Sequence, residues 1–364
     1  MTDISTHPIG SKILSQTAAK ELVDGYVSDI FQARTLQAGS ISSDYKALWE
    51  AMAALYGAGG KRIRPYMMML TYQAFGGSHI EDIVPAAAAQ ELLHQSLLIH
   101  DDIIDRDLVR YGVRNITGRF SDTYSELVSD DSERQHYAEG AAILAGDLLL
   151  SESHAQIMRV ALPIEQIMAA QHIHANAVFH VAGGELLDVE AAFRSKDVVD
   201  PLVIATNKTA VYSFVSPLVM GATLAGVPEE QITLLTDIGT TLGIAYQLRD
   251  DIIGIFGDEQ VTGKSTTRDI YEGKKTMLLE EFYVRSSADQ QAEFEKVFGI
   301  ATASLDDIEK ARGLLVDTGT LQAVEDAIKS YKAQCLEQLS KLSINEQYRQ
   351  AFVGLINISL DRIK

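Results

Sequence analysis

The sequence predicts an all-α protein, and three observations support this prediction. Apolar residues recur at three- and four-residue spacing along most of the chain, strand-like alternation is almost absent, and only seven of the 364 residues are prolines. The helical segments expected from this spacing are Lys20–Gln37, Val84–Asp107, Ala141–Met158, Gln166–Phe193, Leu202–Leu224, Gln231–Ile255, Leu321–Leu342 and Glu346–Ile363.

Glycine-rich and polar stretches separate these helices. The main irregular segments are expected at residues 57–60, 76–77, 112–132 and 257–273. The acidic stretch Ser121–Glu139 is expected to form a surface loop or a short exposed helix. No repeat, low-complexity tract or Pro/Ser-rich linker divides the chain. We therefore expect a loose tail at residues 1–15 and a single helical domain over residues 16–364.

The composition excludes several classes of partner. The formal net charge is −19, whereas nucleic-acid binding needs a basic surface. No apolar run approaches the roughly 18–20 residues of a membrane span, and the first residues lack the pattern of a secretory signal. The single cysteine, Cys335, allows no internal disulfide and fits a reducing compartment. We expect a cytoplasmic protein with no membrane span and no nucleic-acid partner.

Four acids crowd the end of the helix that begins at Val84: Asp101, Asp102, Asp105 and Asp107. Asp101 and Asp105 share one helix face, where like charges repel by about 0.2–0.5 kcal/mol per pair. The helix macrodipole also disfavours anions near a C-terminus. Because local stability gives no reason for these acids, they are candidate ligands of a hard cation such as Mg²⁺. A solvated acidic helix end is the alternative.

A second acidic pair, Asp250 and Asp251, also ends an apolar helix. The pair follows Gln247, and Gly254 stands where a third acid would complete the pattern of the first cluster. Two helices that present acids towards one another in a bundle can form a multi-metal site. The duplication favours metal binding over a solvated helix end for both clusters.

Basic residues accompany both acidic clusters. Lys61, Arg62 and Arg64 follow the flexible Gly59–Gly60 pair, and cations beside such backbone suit phosphate oxygens. By itself this segment would be interpreted as a basic surface turn. The further basic candidates are Lys208, Lys264, Lys274 and Lys275, of which the last three bracket the segment that follows the second acidic pair.

Three other patterns are not interpreted as sites. Five residues separate Gly257 from Gly263, and a helix precedes them, so the segment is not a P-loop. The histidines at 172, 174 and 180 do not align on one helix face, which favours ordinary packing over metal binding. The methionine run Met67–Met69 is expected in the core, and lining of an apolar pocket is the alternative.

In this order, the motifs resemble those of the trans-isoprenyl diphosphate synthases, a family that includes farnesyl, geranylgeranyl and longer polyprenyl diphosphate synthases. The resemblance runs from Gly60 to Thr276 by motif and to the C-terminus by helical pattern. It implies a single large helical bundle with a central apolar cavity, usually a homodimer. It also implies a Mg²⁺-dependent prenyltransferase that joins isopentenyl diphosphate head to tail with an allylic diphosphate and releases diphosphate.

The resemblance also assigns roles to matching residues. Asp101, Asp102 and Asp105 match the first aspartate-rich motif, whose outer members would bind two Mg²⁺ ions. Asp250 and Asp251 match the second motif, in which Asp250 is the favoured ligand of a third ion. Lys208, Thr209 and Gln247 are the implied catalytic residues, of which the last two would stabilise the developing carbocation. The residues implied in diphosphate binding are Lys61, Arg64 and His94 for isopentenyl diphosphate, and Arg110, Lys208, Lys264 and Lys274 for the allylic diphosphate.

Two positions depart from the family pattern. Tyr111 follows Arg110 where the family usually has a second arginine that helps to bind isopentenyl diphosphate, and Arg114 is the candidate substitute. Gly254 stands where the second acidic motif usually has its third acid.

A third position concerns product length. Five residues before the first aspartate, the family commonly has an aromatic side chain that stops elongation near farnesyl length or one unit beyond. Here that residue is Ser96, followed by Leu97. A small side chain at this position predicts a product of geranylgeranyl length or longer.

Two other functions fit part of this pattern. A class I terpene cyclase shares the fold and an acidic motif, but its second metal motif is of an Asn/Ser/Glu type, whereas this chain has Asp250 and Asp251. A non-catalytic subunit that modulates a synthase is opposed by the five aspartates of the two clusters, whereas Tyr111 and Gly254 keep this alternative open. Release of diphosphate by the purified chain with Mg²⁺ and both substrates distinguishes these alternatives.

Overall fold

A computed structural model describes residues 13–191, 200–257 and 266–361, and these residues are almost entirely helical. This confirms the predicted all-α class. Residues 1–12 of the expected tail and the candidate Lys264 lie outside the described residues. The described residues form two compact units, one within residues 13–171 together with 221–226, and the other within the described parts of 172–220 and 227–361.

Side-chain caps set the start of several helices in the first unit. The Ser15 and Ser42 hydroxyls cap α1 (Gln16–Gly39) and α2 (Ser43–Gly57), and the Asp130 carboxylate caps α6 (Asp131–Ile157). Between them lie α3 (Ile63–Ala74), a 3₁₀ turn (Ile80–Ile83), α4 (Val84–Ile104) and α5 (Ile116–Thr123). An antiparallel hairpin of β1 (Val109–Arg110) and β2 (Val113–Arg114) joins α4 to α5.

Some of these elements differ from the sequence expectation. Helix α6 begins inside the stretch 121–139, because Asp130 accepts a hydrogen bond from the Glu133 amide and acids suit the first turn of a helix. Helix α4 ends at Ile104 rather than at Asp107. The apolar spacing did not single out the shorter helices α2 and α3. Met67–Met69, on α3, are fully buried, which confirms that they belong to the core.

The second unit contains the larger parts of α7 (Ile164–Ala191) and of a helix that changes type along its length. The helix starts as α8 (Pro201–Ile204), becomes a π-helix (Ala205–Val215) and continues as α9 (Ser216–Leu224). The later helices are α10 (Glu229–Phe256), α11 (Arg268–Glu272), α12 (Met277–Arg285), α13 (Ala288–Phe294), α14 (Leu305–Asp317), α15 (Thr320–Ser340) and α16 (Glu346–Leu360). Leu248, Phe282 and Phe294 belong to the apolar core of this unit.

Two glycines bring α10 unusually close to the π-helix. A Cβ at Gly243 would lie 2.3 Å from the Cα of Ala210, and one at Gly239 would lie 2.7 Å from the Cα of Val215. Only glycine permits this backbone approach. The consequence is that Thr209, on the π-helix, lies beside α10.

One described helix, Pro201–Leu224, is long and apolar enough to cross a membrane by length and composition. Half of its apolar window is buried inside the protein, as in a helix of a protein core.

Candidate active site

The first acidic cluster forms ion pairs with an arginine from the hairpin. Asp101 and Asp102 lie in the last turn of α4, and Asp105 is its C-cap. The Arg110 guanidinium lies 2.6 Å from Oδ1 of Asp102 and 3.3 Å from Oδ2 of Asp101. The hairpin therefore places a cation directly against two of the three predicted metal ligands.

Asp102 is the buried member of this cluster. It is 2% exposed, and burial raises the pKa of its carboxyl, although the Arg110 guanidinium opposes the shift. Its second oxygen, Oδ2, is buried and has no hydrogen-bond partner in the described part of the chain. Asp101 is partly exposed and Asp105 is exposed, so two acids remain accessible to a cation from solvent.

The three cations after Gly59–Gly60 have different surroundings. Arg62 is 4% exposed and forms ion pairs with Asp24 (2.7 Å) and Glu91 (3.1 Å). It also donates hydrogen bonds to the carbonyls of Gly59 and Tyr56 and lies over the Tyr56 ring. Arg62 is therefore a structural anchor of the turn, whereas Lys61 is exposed and Arg64 is half-buried.

The predicted isopentenyl diphosphate ligands Arg64 and His94 lie close together. Burial lowers the pKa of His94 well below its usual value, and the nearby charges of Arg64 and Arg110 lower it further, so the imidazole is neutral. Arg114, the candidate substitute for a second arginine, is engaged elsewhere: it forms a 2.6 Å ion pair with Asp122 and donates to the Gly118 carbonyl.

In the second unit, the π-helix presents Lys208 to acids on α7. The Lys208 ammonium lies 2.9 Å from Glu185 and 2.5 Å from Asp188. Gly184 makes this approach possible, since a Cβ there would lie 2.2 Å from the Lys208 amide nitrogen. π-Helical segments are rare and occur frequently at functional sites.

The neighbouring residues form a continuous hydrogen-bonded series. The Thr209 hydroxyl donates to Oε1 of Gln247 at 2.5 Å, and Nε2 of Gln247 donates to Oδ1 of Asp251 at 2.8 Å. Both ends of the Gln247 amide are thereby held. The structure thus brings together the predicted catalytic residues Thr209 and Gln247 and the predicted metal ligand Asp251.

The positive charge of Lys274 acts on Asp251, a member of the second acidic pair. Burial would lower the pKa of its ammonium, but Asp188 and Asp269 raise it above the usual value. Burial raises the pKa of Asp251 to about 7, against the opposing effect of Lys274. A cation near Asp251 would favour the ionised carboxylate.

The space of the missing third acid is filled by another residue. A Cβ at Gly254 would lie 2.1 Å from Oδ2 of Asp269, which belongs to α11. The Asp269 carboxylate also contributes to the electrostatic surroundings of Asp251 and Lys274. The second cluster therefore has a third carboxylate, delivered from a different helix.

Gly254→Asp, which would complete the motif by sequence, is expected to lower the free energy of unfolding by about 1–3 kcal/mol, because the new Cβ would overlap the Asp269 carboxylate. Chemical denaturation measures the change. The double variant Gly254→Asp/Asp269→Ala should recover part of the loss. Gly313→Asp is the matched control, since a Cβ at Gly313 meets nothing within 4 Å. Equal stability of Gly254→Asp and the wild type would contradict this geometry.

The product-length candidates lie on α4. Ser96 is fully buried, and its hydroxyl donates a 2.8 Å hydrogen bond to the Gly146 carbonyl of α6. Leu97 is half-buried. Ser96 is therefore a small side chain at a contact between α4 and α6.

Sequence reasoning missed three acids of this site: Glu185, Asp188 and Asp269. Two of them had a detectable signal, because Glu185 and Asp188 are three residues apart on a helix and follow a glycine pair. Asp269 had none, since its significance depends on its approach to Gly254.

The acids fit a hard divalent cation by donor type. In residues 13–191, 200–257 and 266–361, no three His, Cys, Asp or Glu side chains are grouped closely enough to enclose a metal ion. Mg²⁺ usually keeps several waters and takes only one or two carboxylates together with substrate phosphates. Asp102 and Asp101 provide two such carboxylates. Oδ2 of Asp102 is buried and has no hydrogen-bond partner among the described residues, and Asp101 is accessible.

Comparisons with known proteins show the family to which the chain belongs. Residues 45–315 match the polyprenyl synthetase family. The geranylgeranyl diphosphate synthase of Sulfolobus acidocaldarius is 31% identical over 327 residues, which cover 88% of this chain and 92% of that protein. The geranylfarnesyl diphosphate synthase of Aeropyrum pernix is 31% identical, with coverage of 94% and 100%.

A solved structure is similar over almost the whole chain. The geranylgeranyl pyrophosphate synthase of Corynebacterium glutamicum, complexed with isoprenyl diphosphate and magnesium, is 28% identical and has a TM-score of 0.88, covering 96% of this chain and 100% of that one. The polyprenyl synthase of Caulobacter crescentus, complexed with calcium and isoprenyl diphosphate, is 26% identical, with a TM-score of 0.76 and coverage of 98% and 100%.

The helical fold and these similarities define the class of the protein, an all-α prenyltransferase. The chain belongs to the polyprenyl synthetase family and is an enzyme of prenyl-chain elongation.

Proposed function

We propose that the protein condenses isopentenyl diphosphate head to tail with an allylic prenyl diphosphate, releases diphosphate and forms a trans product of geranylgeranyl length or longer. The observation that supports this most directly is the presence, in one unit, of two kinds of phosphate-binding group. Asp101 and Asp102 with Arg110 suit a diphosphate that is bound through metal ions. Lys61 and Arg64 are cations that suit a diphosphate bound directly, without a metal ion. A terpene cyclase needs only the first kind.

The acids Asp101, Asp102, Asp105, Asp250 and Asp251 are the residues that would hold Mg²⁺, with three ions in the proposal. Bound Mg²⁺ neutralises the charge that a leaving diphosphate develops. Arg110, Lys208 and Lys274, and by resemblance Lys264, would add fixed positive charge to the allylic diphosphate.

Thr209 and Gln247 would act on the carbon skeleton. Because the Thr209 hydroxyl proton is donated to Gln247, its oxygen lone pairs remain available to face a developing allylic cation. The bond from Gln247 to Asp251 holds this amide in place, so no reorganisation is needed during the reaction. Isopentenyl diphosphate would then attack through its double bond, and the released diphosphate would accept the final proton.

The decisive experiment supplies the purified chain with both substrates and Mg²⁺, then measures diphosphate release and identifies the product by mass spectrometry. We expect a linear, longer prenyl diphosphate and no turnover in excess chelator. A cyclic hydrocarbon from the allylic substrate alone would indicate a cyclase. Absence of turnover would indicate a modulating subunit.

Lys61→Ala and Arg64→Ala are each expected to raise the KM for isopentenyl diphosphate roughly 10- to 100-fold, since a charge-assisted contact contributes about 1.5–3 kcal/mol. The KM for the allylic substrate should change much less. Steady-state kinetics with each substrate varied in turn provide the measurement. Lys46→Ala is the control, because its ammonium forms an exposed helix ion pair with Glu50. An equal rise in both KM values would refute the division into two subsites.

Ser96→Phe is expected to shorten the product by roughly one isoprene unit, because an aromatic ring would occupy that much space beside α6. Ser96→Ala, which removes only the hydroxyl, should leave product length unchanged. Mass spectrometry of the products measures the effect, and thermal unfolding checks that the ring is accommodated. A wild-type product of farnesyl length, or an unchanged product from Ser96→Phe, would show that this position does not set chain length.

The proposal includes a homodimer that works in the cytoplasm on these two diphosphates. Light scattering of the purified protein tests the assembly, and cell fractionation tests the location.

A further inference from the structure

We propose that Tyr111 is a positioning residue for isopentenyl diphosphate: its ring packs on Gly59 and holds the turn that presents Lys61. This inference rests on the proposed function, because it concerns the non-allylic subsite of that reaction. Position 111 would then contribute through the packing of its ring and not through the charge of a second arginine.

The backbone directs Tyr111 towards the turn. Tyr111 and Gly112 connect β1 to β2, and both have positive φ angles, 54° and 76°. Two such residues in succession form the hairpin turn whose twist matches that of the strands. A left-handed conformation costs a non-glycine residue roughly 1–2 kcal/mol, so tyrosine is an unusual occupant. The tight hairpin leaves little freedom in the direction of its side chain.

The ring contacts the backbone of Gly59 directly. A Cβ at Gly59 would lie 3.0 Å from Cγ, 3.1 Å from Cδ1 and 3.4 Å from Cδ2 of Tyr111. Three carbons of the ring are thus at similar distances from this position, so the ring lies against Gly59. A side chain at position 59 would require the ring to move by a few tenths of an ångström.

Arg62 also holds this turn. A Cβ at Gly60, where φ is 110°, would lie 2.1 Å from a terminal nitrogen of Arg62, which also donates to the Gly59 carbonyl. The turn therefore contacts both the buried guanidinium and the Tyr111 ring. Lys61 is exposed, and its carbonyl accepts a 3.0 Å hydrogen bond from the Gln16 amide. Because two consecutive glycines have large conformational freedom, loss of the ring contact should loosen the Lys61 backbone.

The phenol itself does not supply the missing charge. Partial burial raises the pKa of the Tyr111 hydroxyl, so the phenol is neutral at physiological pH. The nearby charges that also act on this pKa are those of Arg110, Glu91, Arg64 and Arg62. Three guanidinium groups are already close to this position. An additional arginine would add repulsion there, whereas a neutral ring adds packing.

The first test compares Tyr111→Ala and Tyr111→Phe in the full-length protein. Alanine should raise the KM for isopentenyl diphosphate about tenfold, while kcat and the KM for the allylic substrate change less than about twofold, since a small misplacement affects only the group that the turn carries. Phenylalanine keeps the ring and should resemble the wild type. Val113→Ala, at an exposed position of the same hairpin, is the matched control. An unchanged KM in Tyr111→Ala, or an equal defect in Tyr111→Phe, would overturn the inference.

The second test is a double-mutant cycle with Gly59→Ala. The new methyl group would push the ring away by a few tenths of an ångström, so Gly59→Ala alone should also raise the KM for isopentenyl diphosphate, though less than Tyr111→Ala. In the Tyr111→Ala background the same change should have little further effect, because the ring is absent. Additive effects would show that the two residues do not act through their contact.

The outcomes for the two proposals can be separated. A wild-type protein that does not turn over the two diphosphates would refute the proposed function. A wild-type protein that turns them over, with a Tyr111→Ala variant of unchanged KM, would refute only the role of Tyr111.

Discussion

Asp101→Ala is expected to lower kcat by roughly 10²–10³-fold while the protein stays folded. In the proposal this carboxylate binds metal, and metal stabilisation of developing charge contributes several kcal/mol to a transition state, at 1.36 kcal/mol per factor of ten. Folding should change little, because Asp101 is partly exposed and its removal relieves a like-charge repulsion with Asp105. The 3.3 Å contact with Arg110 is lost, but Arg110 keeps its closer pair with Asp102. Asp105→Ala should behave in the same way.

The measurement combines kcat at saturating Mg²⁺ and substrates with circular dichroism of the fold. Titration of Mn²⁺ followed by electron paramagnetic resonance provides a readout independent of turnover, and binding should weaken in both variants. Glu126→Ala serves as the control, since it removes an exposed acid of the same unit. Near-normal turnover in either aspartate variant would show that the first cluster does not bind the catalytic metal.

Arg110→Ala is expected to affect stability and substrate binding together. Its guanidinium is 14% exposed and pairs with an Asp102 side chain that is 3% exposed. Removal of one partner from a buried ion pair leaves the other charge uncompensated and costs about 3–5 kcal/mol. The KM for the allylic substrate should rise more than that for isopentenyl diphosphate, the opposite bias to Lys61→Ala.

Chemical denaturation and two-substrate kinetics test this expectation. Arg110→Lys should recover only part of the loss, because an ammonium cannot contact Asp101 and Asp102 with the fork geometry of a guanidinium. Arg114→Ala, on the neighbouring strand, is the control: its ion pair with Asp122 is exposed and should contribute no more than about 1 kcal/mol. A similar, small destabilisation by both alanine variants would contradict the buried-pair interpretation.

Much of the architecture was predictable because its signals are local. The spacing of apolar residues specifies helices, and the acids of the two clusters are neighbours in sequence, so their grouping does not depend on the rest of the fold. The candidate product-length position Ser96 was likewise chosen by counting back from Asp101, and its role stays a prediction. Helix starts were harder to predict. Helix α6 begins at Asp131 because of a single cap at Asp130, within a stretch whose polarity suggested a loop.

The different roles of the basic residues were not predictable. Lys61, Arg62 and Arg64 are equivalent by charge and spacing, yet Arg62 is buried by Asp24 and Glu91, residues 38 and 29 positions away in sequence. Arg114 was a reasonable substitute for a missing arginine by position, but its strand directs it to Asp122. Which cation is structural is therefore decided by the helix that packs over it.

The sequence by itself determined that this protein is an all-α member of a prenyltransferase family with two acidic clusters, since periodicity and motif order are properties of the chain. Only the tertiary structure decided how those motifs are completed. The Asp269 carboxylate fills the space above Gly254, and Asp188 pairs with Lys208 from another helix. The physical reason is that such contacts depend on close helix approaches, which glycine permits and which no local pattern specifies.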